Sequence, residues 1–473
     1  MRKTKIVCTL GPACSDRDTI KAMVKAGMDV ARLNFSHEDS EAHLKRIHLI
    51  REISSELNRP IAILQDLQGP KIRVGEMVDD VVLQTGDQIV ITMEDVVGTA
   101  TRFSSTYKGL ARDVKEGDPL FINDGLIEIQ VNHIDNNEIH GTVIHGGSLK
   151  SHKGINLSQS SVSTPTLTEK DIQDLKWGLA KGVDYVALSF VEEASDIKRL
   201  TDMIANRETN VHVIAKVERH EALDNLEGIV IASDIIMVAR GDLGVEIPLE
   251  QVPGIQKHLI QICHKHLKLV ITATQMLESM IHNPRPTRAE VSDIANAILD
   301  GTDALMLSGE TAIGRYPVKA VETMARIADT VEASLPSLLN YIDGGADEYH
   351  VASAVGYAAC QLAQHLKARV IICFTQNGFT AQVLSKYRQP IPIIAVTPKE
   401  SVQRRLALYW GVQSLLLQEV ASTDEMIAIV EQVAVAHKLV SAGDIIVIAA
   451  GLPLALKGIT NLIKVHQVGQ CSN

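Results

Sequence analysis

The chain has 473 residues, more than one hydrophobic core usually supports, so we expect two or three domains. Hydrophobic residues make up 45% and charged residues 22% of the sequence, proportions that are typical of folded globular proteins and argue against disorder. The formal net charge of −11 argues against partners that are bound through a broad basic surface. We therefore expect neither nucleic acid nor an anionic membrane as a partner.

The six cysteines are scattered, without a CxxC pair or a spacing to histidine that is typical of metal sites. This pattern indicates a reducing compartment, and we expect a cytoplasmic protein. The N-terminal segment MRKTKIVCTLGPACS places basic residues before an apolar run, as signal peptides do, but the run is short and a proline interrupts it. No stretch approaches the roughly 20 apolar residues needed to span a bilayer.

Eight short apolar runs rich in valine and isoleucine alternate with helical patterns along the first two thirds of the chain. Such runs are typical of parallel strands that are covered on both faces. Eight strand and helix units predict a (β/α)₈ barrel, also called a TIM barrel, with a doubly wound open sheet as the alternative. The runs are KIVCTLG (5–11), VARLNFS (30–36), IAILQD (61–66), YVALSF (185–190), VHVIAKVE (211–218), IIMVARGD (235–242), LVITATQ (269–275) and ALMLSGE (304–310).

The gap between the third and fourth runs is too long for a simple connection. Within it, residues 70–157 show strand-like alternation with turn residues, which predicts a small antiparallel β-barrel domain inserted as a lid over the active face. YIDGGADEY (341–349) reads as a linker before a further α/β series. We expect a catalytic barrel of residues 1–69 and 158–340, a lid of residues 70–157 and a C-terminal regulatory α/β domain of residues 341–473.

Polar residues follow nearly every apolar run, at the end where active sites of (β/α)₈ barrels lie. These residues are Asn34, Ser36, Asp66, Ser189, Lys216, Glu218, Arg240, Asp242, Thr274, Ser308 and Glu310.

Lys216 and Glu218 are two residues apart at a strand end, so both side chains point the same way and can face the barrel mouth. Glu218 and Asp242 follow adjacent strands and together could hold Mg²⁺, which accepts one or two carboxylates and completes its shell with water and substrate oxygens. The alternative is a structural salt bridge between Lys216 and Glu218.

Other groups allow two interpretations each. Gly241 and Asp242 precede a helical turn whose free amides could bind a substrate carboxylate, or the segment is a plain turn. The hydroxyls of Thr274 and Ser308 could position a substrate or a proton-relaying water, or only stabilise strand ends. His37 is a possible nucleotide contact or a structural residue.

The sequence resembles the pyruvate kinase family over essentially its whole length. The matching segments keep the family's order and spacing. They are KTKIVCTLGPAC, AGMDVARLNFSH, GPKIR, HKGINL, VDYVALSFV, VIAKVERHEAL, IMVARGDLGVEIP, VITATQMLESMI and NPRPTRAEVSDIANAILDGTDALMLSGETAIGRYP, with a weaker match in the C-terminal domain.

The resemblance implies transfer of the phosphoryl group of phosphoenolpyruvate to ADP with Mg²⁺ or Mn²⁺, by a homotetramer. Its implied residue roles are as follows. The catalytic residues are Lys216, Arg32, Thr274, Ser308 and Glu310, and the metal ligands are Glu218 and Asp242. The substrate is bound by Arg32, Ser189, Lys216, Gly241, Asp242 and Thr274. The nucleotide is bound by Asn34, His37, Arg73 and Lys153, and a monovalent cation is surrounded by Asn34, Ser36 and Asp66.

Two departures from the family pattern carry further expectations. In DLQGPKIRV, Lys71 stands where many members have a glutamate, and its ammonium could replace bound K⁺, so we expect no K⁺ requirement. The alternative is that Lys71 only faces solvent.

In the C-terminal domain, TQNGFT (375–380) resembles the family's loop for a phosphorylated allosteric effector. Thr375, Asn377, Gly378 and Thr380 would bind this effector. Asn377 and Phe379 stand where a serine and an arginine are common in the family. A plain Asn-Gly turn is the alternative.

Two rival functions stay open at this point. One is another metal-dependent barrel enzyme that acts on phosphoenolpyruvate or pyruvate, against which the inserted domain and HKGINL argue. The other is an inactive relative that binds metabolites as a regulator, against which the retention of Lys216, Glu218 and Asp242 argues.

Overall fold

The structure, a computed structural model, describes residues 2–79, 81–157, 164–205, 211–334, 350–418, 423–453 and 458–469. All eight predicted barrel strands form, and they close into a parallel barrel in which the first strand pairs with both the second and the eighth. The (β/α)₈ barrel is therefore confirmed and the open sheet is wrong. The strands are Lys5–Leu10, Val30–Asn34, Ala62–Asp66, Tyr185–Leu188, His212–Val217, Ile235–Ala239, Leu269–Ala273 and Ala304–Leu307.

Helices cover the outside of the barrel. Alternate strand residues, such as Ile6, Ile63 and Val186, point outward, and the helices bury them in a large apolar layer. Two of these helices begin with a capping box, Thr168 with Asp171 and Thr287 with Glu290. The helices are Arg17–Ala26, Ser40–Glu56, Glu169–Ala180, Ala194–Ala205, Glu221–Asp224, Leu226–Ala232, Arg240–Glu246, Val252–Lys265, Arg288–Asp300, Gly309–Ala312 and Pro317–Ser334, with 3₁₀ turns at Pro12–Cys14, Leu249–Gln251 and Glu278–Ile281.

The insertion after the third strand is a β structure, as predicted. A six-stranded and a two-stranded sheet share one apolar core that includes Leu83, Phe103 and Ile129. All strand pairs are antiparallel except Gln88–Thr92 with Arg102–Ser104, which is parallel. Its strands are Val81–Leu83, Gln88–Thr92, Arg102–Ser104, Pro119–Ile122, Ile127–Asp135, Glu138–His145, Gly147–Leu149 and Ile155–Leu157, with one short helix, Leu110–Asp113.

A second α/β unit follows the barrel, and it contains four parallel strands with one antiparallel edge strand. The predicted linker 341–349 lies outside the described residues. The strands are Val370–Phe374, Ile393–Thr397, Val412–Leu416, Ile445–Ala450 and Leu462–Gln467, and the helices are His350–His365, Phe379–Lys386, Glu400–Arg405, the 3₁₀ turn Leu406–Leu408 and Thr423–Ala436.

The C-terminal unit packs against the N-terminal end of the barrel. Lys5 Nζ donates to the carbonyl oxygen of Val412 at 2.7 Å, and Tyr185 Oη donates to that of Arg405 at 2.6 Å. Apolar residues inside the barrel and in the C-terminal unit form one continuous core. The inserted β structure approaches the opposite, C-terminal end of the barrel, where Lys71 Nζ lies 3.9 Å from Asp242 Oδ1.

Candidate active site

Lys216 lies at the centre of a buried polar cluster at the C-terminal end of the barrel. Its ammonium donates to Ser189 Oγ at 2.7 Å and lies 2.8 Å from Glu218 Oε1 and 3.4 Å from Asp66 Oδ1. Burial would lower the pKa of Lys216, but the two carboxylates outweigh it and raise the pKa. The salt bridge between Lys216 and Glu218 that the sequence allowed is thus present, and it lies inside the predicted site.

Arg32 is held on the other side of Asp66. Its Nε donates to Asp66 Oδ2 at 2.7 Å, and its Nη1 donates to the hydroxyl of Thr9 at 2.8 Å. Burial would raise the pKa of Asp66, but Lys216 and Arg32 outweigh it and lower the pKa. One buried carboxylate, at the end of the third strand, therefore fixes a cation from the second strand and another from the fifth. A phosphate group at the barrel mouth would meet a rigid pair of positive charges.

Glu218 and Asp242 form the acidic part of the site. Glu218 is 1% exposed, and its second oxygen, Oε2, accepts a hydrogen bond from the Phe190 amide at 2.8 Å. Burial raises the pKa of Glu218; Lys216 opposes this, and the negative charge of Asp242 adds to it. The Asp242 side chain is 25% exposed, so solvent reaches this acidic pair at the C-terminal end of the barrel.

Lys71 enters the site from the inserted β structure. Its Nζ lies 3.9 Å from Asp242 Oδ1, and its side chain is 29% exposed. The ammonium thus lies within ion-pair distance of Asp242, while part of the side chain remains exposed to solvent.

Thr274 and Gln275 leave the seventh strand with left-handed backbone angles, φ = 66° and 54°, which are unfavourable for a β-branched residue such as Thr274. The Thr274 hydroxyl accepts a hydrogen bond from the Gly241 amide at 2.7 Å and donates to the Ala273 carbonyl oxygen at 2.6 Å. Gly241 lies within the helix Arg240–Glu246, so the helical turn that the motif predicts after Asp242 begins three residues earlier. Its amide already has a partner in this structure.

Ser308 and Glu310 occupy the turn after the eighth strand. Glu310 is fully buried and accepts from the amides of Ser308 and Leu277, at 2.7 and 2.9 Å. Among the described groups, the buried Ser308 Oγ has no hydrogen-bond partner. The carboxylate thus fixes the backbone on both sides of a hydroxyl that remains free to bind something else.

The predicted nucleotide residues come from both sides of the cleft. Arg73 forms an isolated β-bridge with Gly154, beside Lys153, and its Nη1 donates to the His152 carbonyl oxygen at 2.9 Å. Partial burial and the cations Arg73, Lys71 and Arg32 lower the pKa of His37. Burial and the positive charge of this region therefore both disfavour protonation of His37.

Asn34 and Ser36 form a small turn at the end of the second strand, where Asn34 Oδ1 accepts from the Ser36 amide at 3.1 Å. The Phe35 amide donates to the Asp66 carbonyl oxygen at 3.0 Å. This turn is therefore fixed directly to the residue that orients Lys216 and Arg32.

The loop 375–380 lies in the C-terminal unit, away from this cluster. Thr375 Oγ1 accepts from the Gly378 amide at 2.8 Å, and Asn377 Oδ1 accepts from the Phe379 amide at 3.2 Å. Thr380 Oγ1 pairs with the Thr460 hydroxyl at 3.0 Å, and Gly378 has φ = 99°. These bonds form a compact Asn-Gly turn before a helix.

Sequence reasoning gave no role to several residues that complete the site. Thr9 anchors Arg32, and Arg240 joins Asp293 at 2.8 Å while it donates to the Thr274 carbonyl oxygen at 2.9 Å. The position of Arg240 at a strand end was a usable signal, whereas Thr9 gave none beyond a hydroxyl in an apolar run. His220, Glu221 and Glu246 also cluster nearby, with the His220 Nδ1 atom 3.2 and 3.3 Å from the two carboxylates.

Comparison with known proteins agrees with this geometry. The family model "Pyruvate kinase, barrel domain" matches residues 1–321, and "Pyruvate kinase, alpha/beta domain" matches residues 353–466. The chain is 45% identical to pyruvate kinases of Staphylococcus aureus (strain MRSA252) and Sporosarcina psychrophila, over 99% of this chain and 81% of each relative. A crystal structure of a pyruvate kinase from Cryptosporidium parvum superposes with a TM-score of 0.92 at 35% identity, covering 99% of this chain and 96% of that one.

The order of the barrel, its β insertion and the C-terminal α/β unit thus agrees with full-length relatives in sequence and in structure, and the chain belongs to the pyruvate kinase family of phosphotransferases.

Proposed function

We propose that the protein transfers the phosphoryl group of phosphoenolpyruvate to ADP, giving pyruvate and ATP, in the last step of glycolysis. The observation that carries this is the Lys216 ammonium, which Asp66, Glu218 and Ser189 hold at the barrel mouth. Phosphoryl transfer passes through a loose transition state with charge on the equatorial oxygens, so a site needs fixed cations rather than a covalent nucleophile. Lys216 and Arg32 meet that need.

Glu218 and Asp242 would hold the divalent metal that the family requires, Mg²⁺ or Mn²⁺. Their oxygens are the hard donors that such ions prefer. Burial, with the negative charge of Asp242 added to it, raises the pKa of Glu218, and a cation between the two carboxylates would offset both effects. When bound, the ion stabilises negative charge on substrate oxygens. The exposed side of Asp242 leaves room for substrate and water as further ligands.

Thr274, Ser308 and Glu310 would act on the part of the substrate that becomes pyruvate. The Thr274 hydroxyl is fixed by the Gly241 amide, and the Ser308 hydroxyl has no partner among the described groups. Such hydroxyls can position a carboxylate or a proton-relaying water beside the enolate carbon. Glu310 would hold the turn, and Ser189, Gly241 and Asp242 would line the substrate position.

Asn34 and His37, at the end of the second barrel strand, would bind the nucleotide together with Arg73 and Lys153 of the inserted lid. Arg73 and Lys153 would supply positive charge for its phosphates. Closure of the lid over the site would exclude water, which competes with ADP for the phosphoryl group.

Activity would not depend on K⁺. The ammonium of Lys71 points towards Asp242 and would supply the charge of a bound monovalent cation in the region of Asn34, Ser36 and Asp66.

A phosphorylated metabolite bound by Thr375, Asn377, Gly378 and Thr380 would regulate the enzyme. The helix Phe379–Lys386 begins at this loop, and free amides at a helix start attract phosphate. The intramolecular bonds of Thr375 and Asn377 would have to open for binding.

The remaining features of the proposal follow the family. They are a homotetramer, a cytoplasmic location and domain limits at residues 1–69 with 158–340, 70–157 and 341–473. In the described part of the chain, no helix has the length and apolar character that crossing a membrane requires.

The direct test is pyruvate formation from phosphoenolpyruvate by the purified protein, with ADP and Mg²⁺ present and with each omitted in turn. Pyruvate formed only when all three are supplied is the expected result. Binding without turnover would identify an inactive regulator, and turnover without ADP would identify a different barrel enzyme.

A further inference from the structure

A narrow cleft lies between the N-terminal end of the barrel and the C-terminal unit. Its charged lining residues are Lys268 from the barrel, Lys386 and Arg388 from the C-terminal unit, and the acid Asp303. His264 also lines the cleft, where burial and Arg388 lower its pKa to about 3. The cleft is on the opposite side of the barrel from the catalytic cluster.

Arg388 already uses the carboxylate of this cleft. Its Nη1 lies 2.7 Å from Asp303 Oδ1, both side chains are at most 5% exposed, and its Nη2 donates to the Gly301 carbonyl oxygen at 2.6 Å. The guanidinium also stacks over the Trp410 ring at 4.8 Å. Asp303 is therefore already paired with Arg388 and is the only acid in the lining of this cleft among the described residues.

Lys386 has no such partner. It is 9% exposed at the end of the helix Phe379–Lys386, and no described residue forms a hydrogen bond or an ion pair with its ammonium. Lys268 Nζ, by contrast, is already engaged, because it donates to the carbonyl oxygens of Ile231 at 3.0 Å and Ser233 at 2.5 Å. Burying an ammonium without an opposite charge is costly, and burial accordingly lowers the pKa of Lys386.

We propose that this cleft binds a small oxyanion through Lys386, and that the chemistry recognised is a phosphate dianion, either free or as the phosphoryl group of a small monoester. The open space at its centre is only about water-sized, so the flexible stem of Lys386 would shift to admit the ion, and a nucleotide would not fit. The site is separate from the loop 375–380, which lies at the other end of the same helix. A bound phosphate would join that helix to the barrel.

Calorimetric titration with sodium phosphate, in Mg²⁺-free chloride buffer at constant ionic strength, tests this directly. Wild type and Lys386→Arg should bind phosphate, whereas Lys386→Met should bind it roughly tenfold or more weakly, since a charge-assisted bond is lost. Lys399→Met removes an exposed lysine of the same unit and should behave as wild type. Phosphate bound at the catalytic cluster would contribute equally to all four proteins.

Thermal unfolding gives a second readout, because it does not depend on activity. In chloride, Lys386→Met should unfold at or above the wild-type midpoint, since a buried unpaired charge has gone. Phosphate should raise the midpoint of wild type but not of Lys386→Met. Equal phosphate responses in the two proteins would overturn the proposal. A parallel titration with methyl phosphate distinguishes a site for phosphorylated metabolites from one that accepts only the free ion.

Discussion

Lys216 is orientated by three oxygens from three different strands or strand ends, on Asp66, Ser189 and Glu218. Groups fixed in this way need little reorganisation when charge develops on a reacting phosphoryl group. This preorganisation is the main source of electrostatic catalysis. The same carboxylates keep Lys216 protonated at neutral pH. Its role is therefore best tested by removing the charge alone.

We predict that Lys216→Met lowers kcat by about 10² to 10³-fold or more, because one preorganised charge aimed at the transition state is lost. Steady-state assays with phosphoenolpyruvate and ADP measure this, and circular dichroism checks the fold. Lys176→Met, at an exposed helix position, is the matched control. A Lys216→Met enzyme that keeps more than a tenth of wild-type kcat would contradict the assignment.

We predict that Lys71 makes the enzyme independent of K⁺. Its ammonium lies 3.9 Å from Asp242, and a unit charge about 4 Å from a phosphate oxygen is worth about 4 kcal/mol at an effective dielectric near 20. Activity is measured in bulky organic cations, with and without KCl at constant ionic strength. Wild type should not respond to KCl, whereas Lys71→Glu should be weakly active and partly restored by it. Many-fold stimulation of wild type would refute the prediction.

At the scale of elements, hydrophobic periodicity located all eight barrel strands, because strands buried on both faces leave long apolar runs. It placed their ends less well. In the run 269–275 the strand ends at Ala273, because Thr274 and Gln275 adopt left-handed backbone angles. Neither residue is a glycine, so the sequence does not indicate this change of conformation. The run 185–190 ends at Leu188, before Phe190 with φ = 57°. The polar residues at these ends therefore belong to turns, which aim them into the site.

Other features depend on contacts that are distant in the sequence. The parallel pair Gln88–Thr92 with Arg102–Ser104 and the approach of Lys71 to Asp242 leave no periodic pattern. In the C-terminal unit, the helix Glu400–Arg405 continues as a 3₁₀ turn where Leu406 and Leu408 enter the core. In contrast, the grouping of Lys216, Glu218 and Asp242 followed from strand order alone.

The effector loop gives a prediction at this scale. Thr375→Ala with Thr380→Ala should abolish the effect of a phosphorylated activator on the KM for phosphoenolpyruvate, while kcat without effector stays within about twofold of wild type. A panel of sugar phosphates and nucleotide monophosphates supplies the test ligands. If no member alters the KM of wild type, the loop is only an Asn-Gly turn.

For the whole molecule, histidines buried where the barrel meets the C-terminal unit should make stability depend on pH. Burial and Arg388 lower the pKa of His264 from 6.5 to about 3, so the folded protein keeps it neutral. The unfolded chain takes up this proton near pH 6.5. Between these two pH values the unfolded state binds more protons than the folded state. Each unit by which the pH is lowered in this range therefore decreases the free energy of unfolding by up to about 1.4 kcal/mol.

His264→Asn should therefore reduce the loss of stability between pH 7.5 and 5, as measured by urea unfolding at several pH values. His258→Asn, on the exposed face of the same helix, should leave the loss unchanged. Parallel curves for His264→Asn and wild type would show that His264 does not titrate in this way.

The barrel closes through its first and last strands, where Lys5 pairs with Ala304 and Cys8 with Leu307. During synthesis at about 5–20 residues per second, the first strand leaves the ribosome roughly 15 to 60 seconds before its partner exists. Throughout that interval one edge of the growing sheet can pair with other chains. The nascent protein is therefore most prone to aggregation just before residue 307 emerges, and chaperone binding should be strongest on chains that stop short of it.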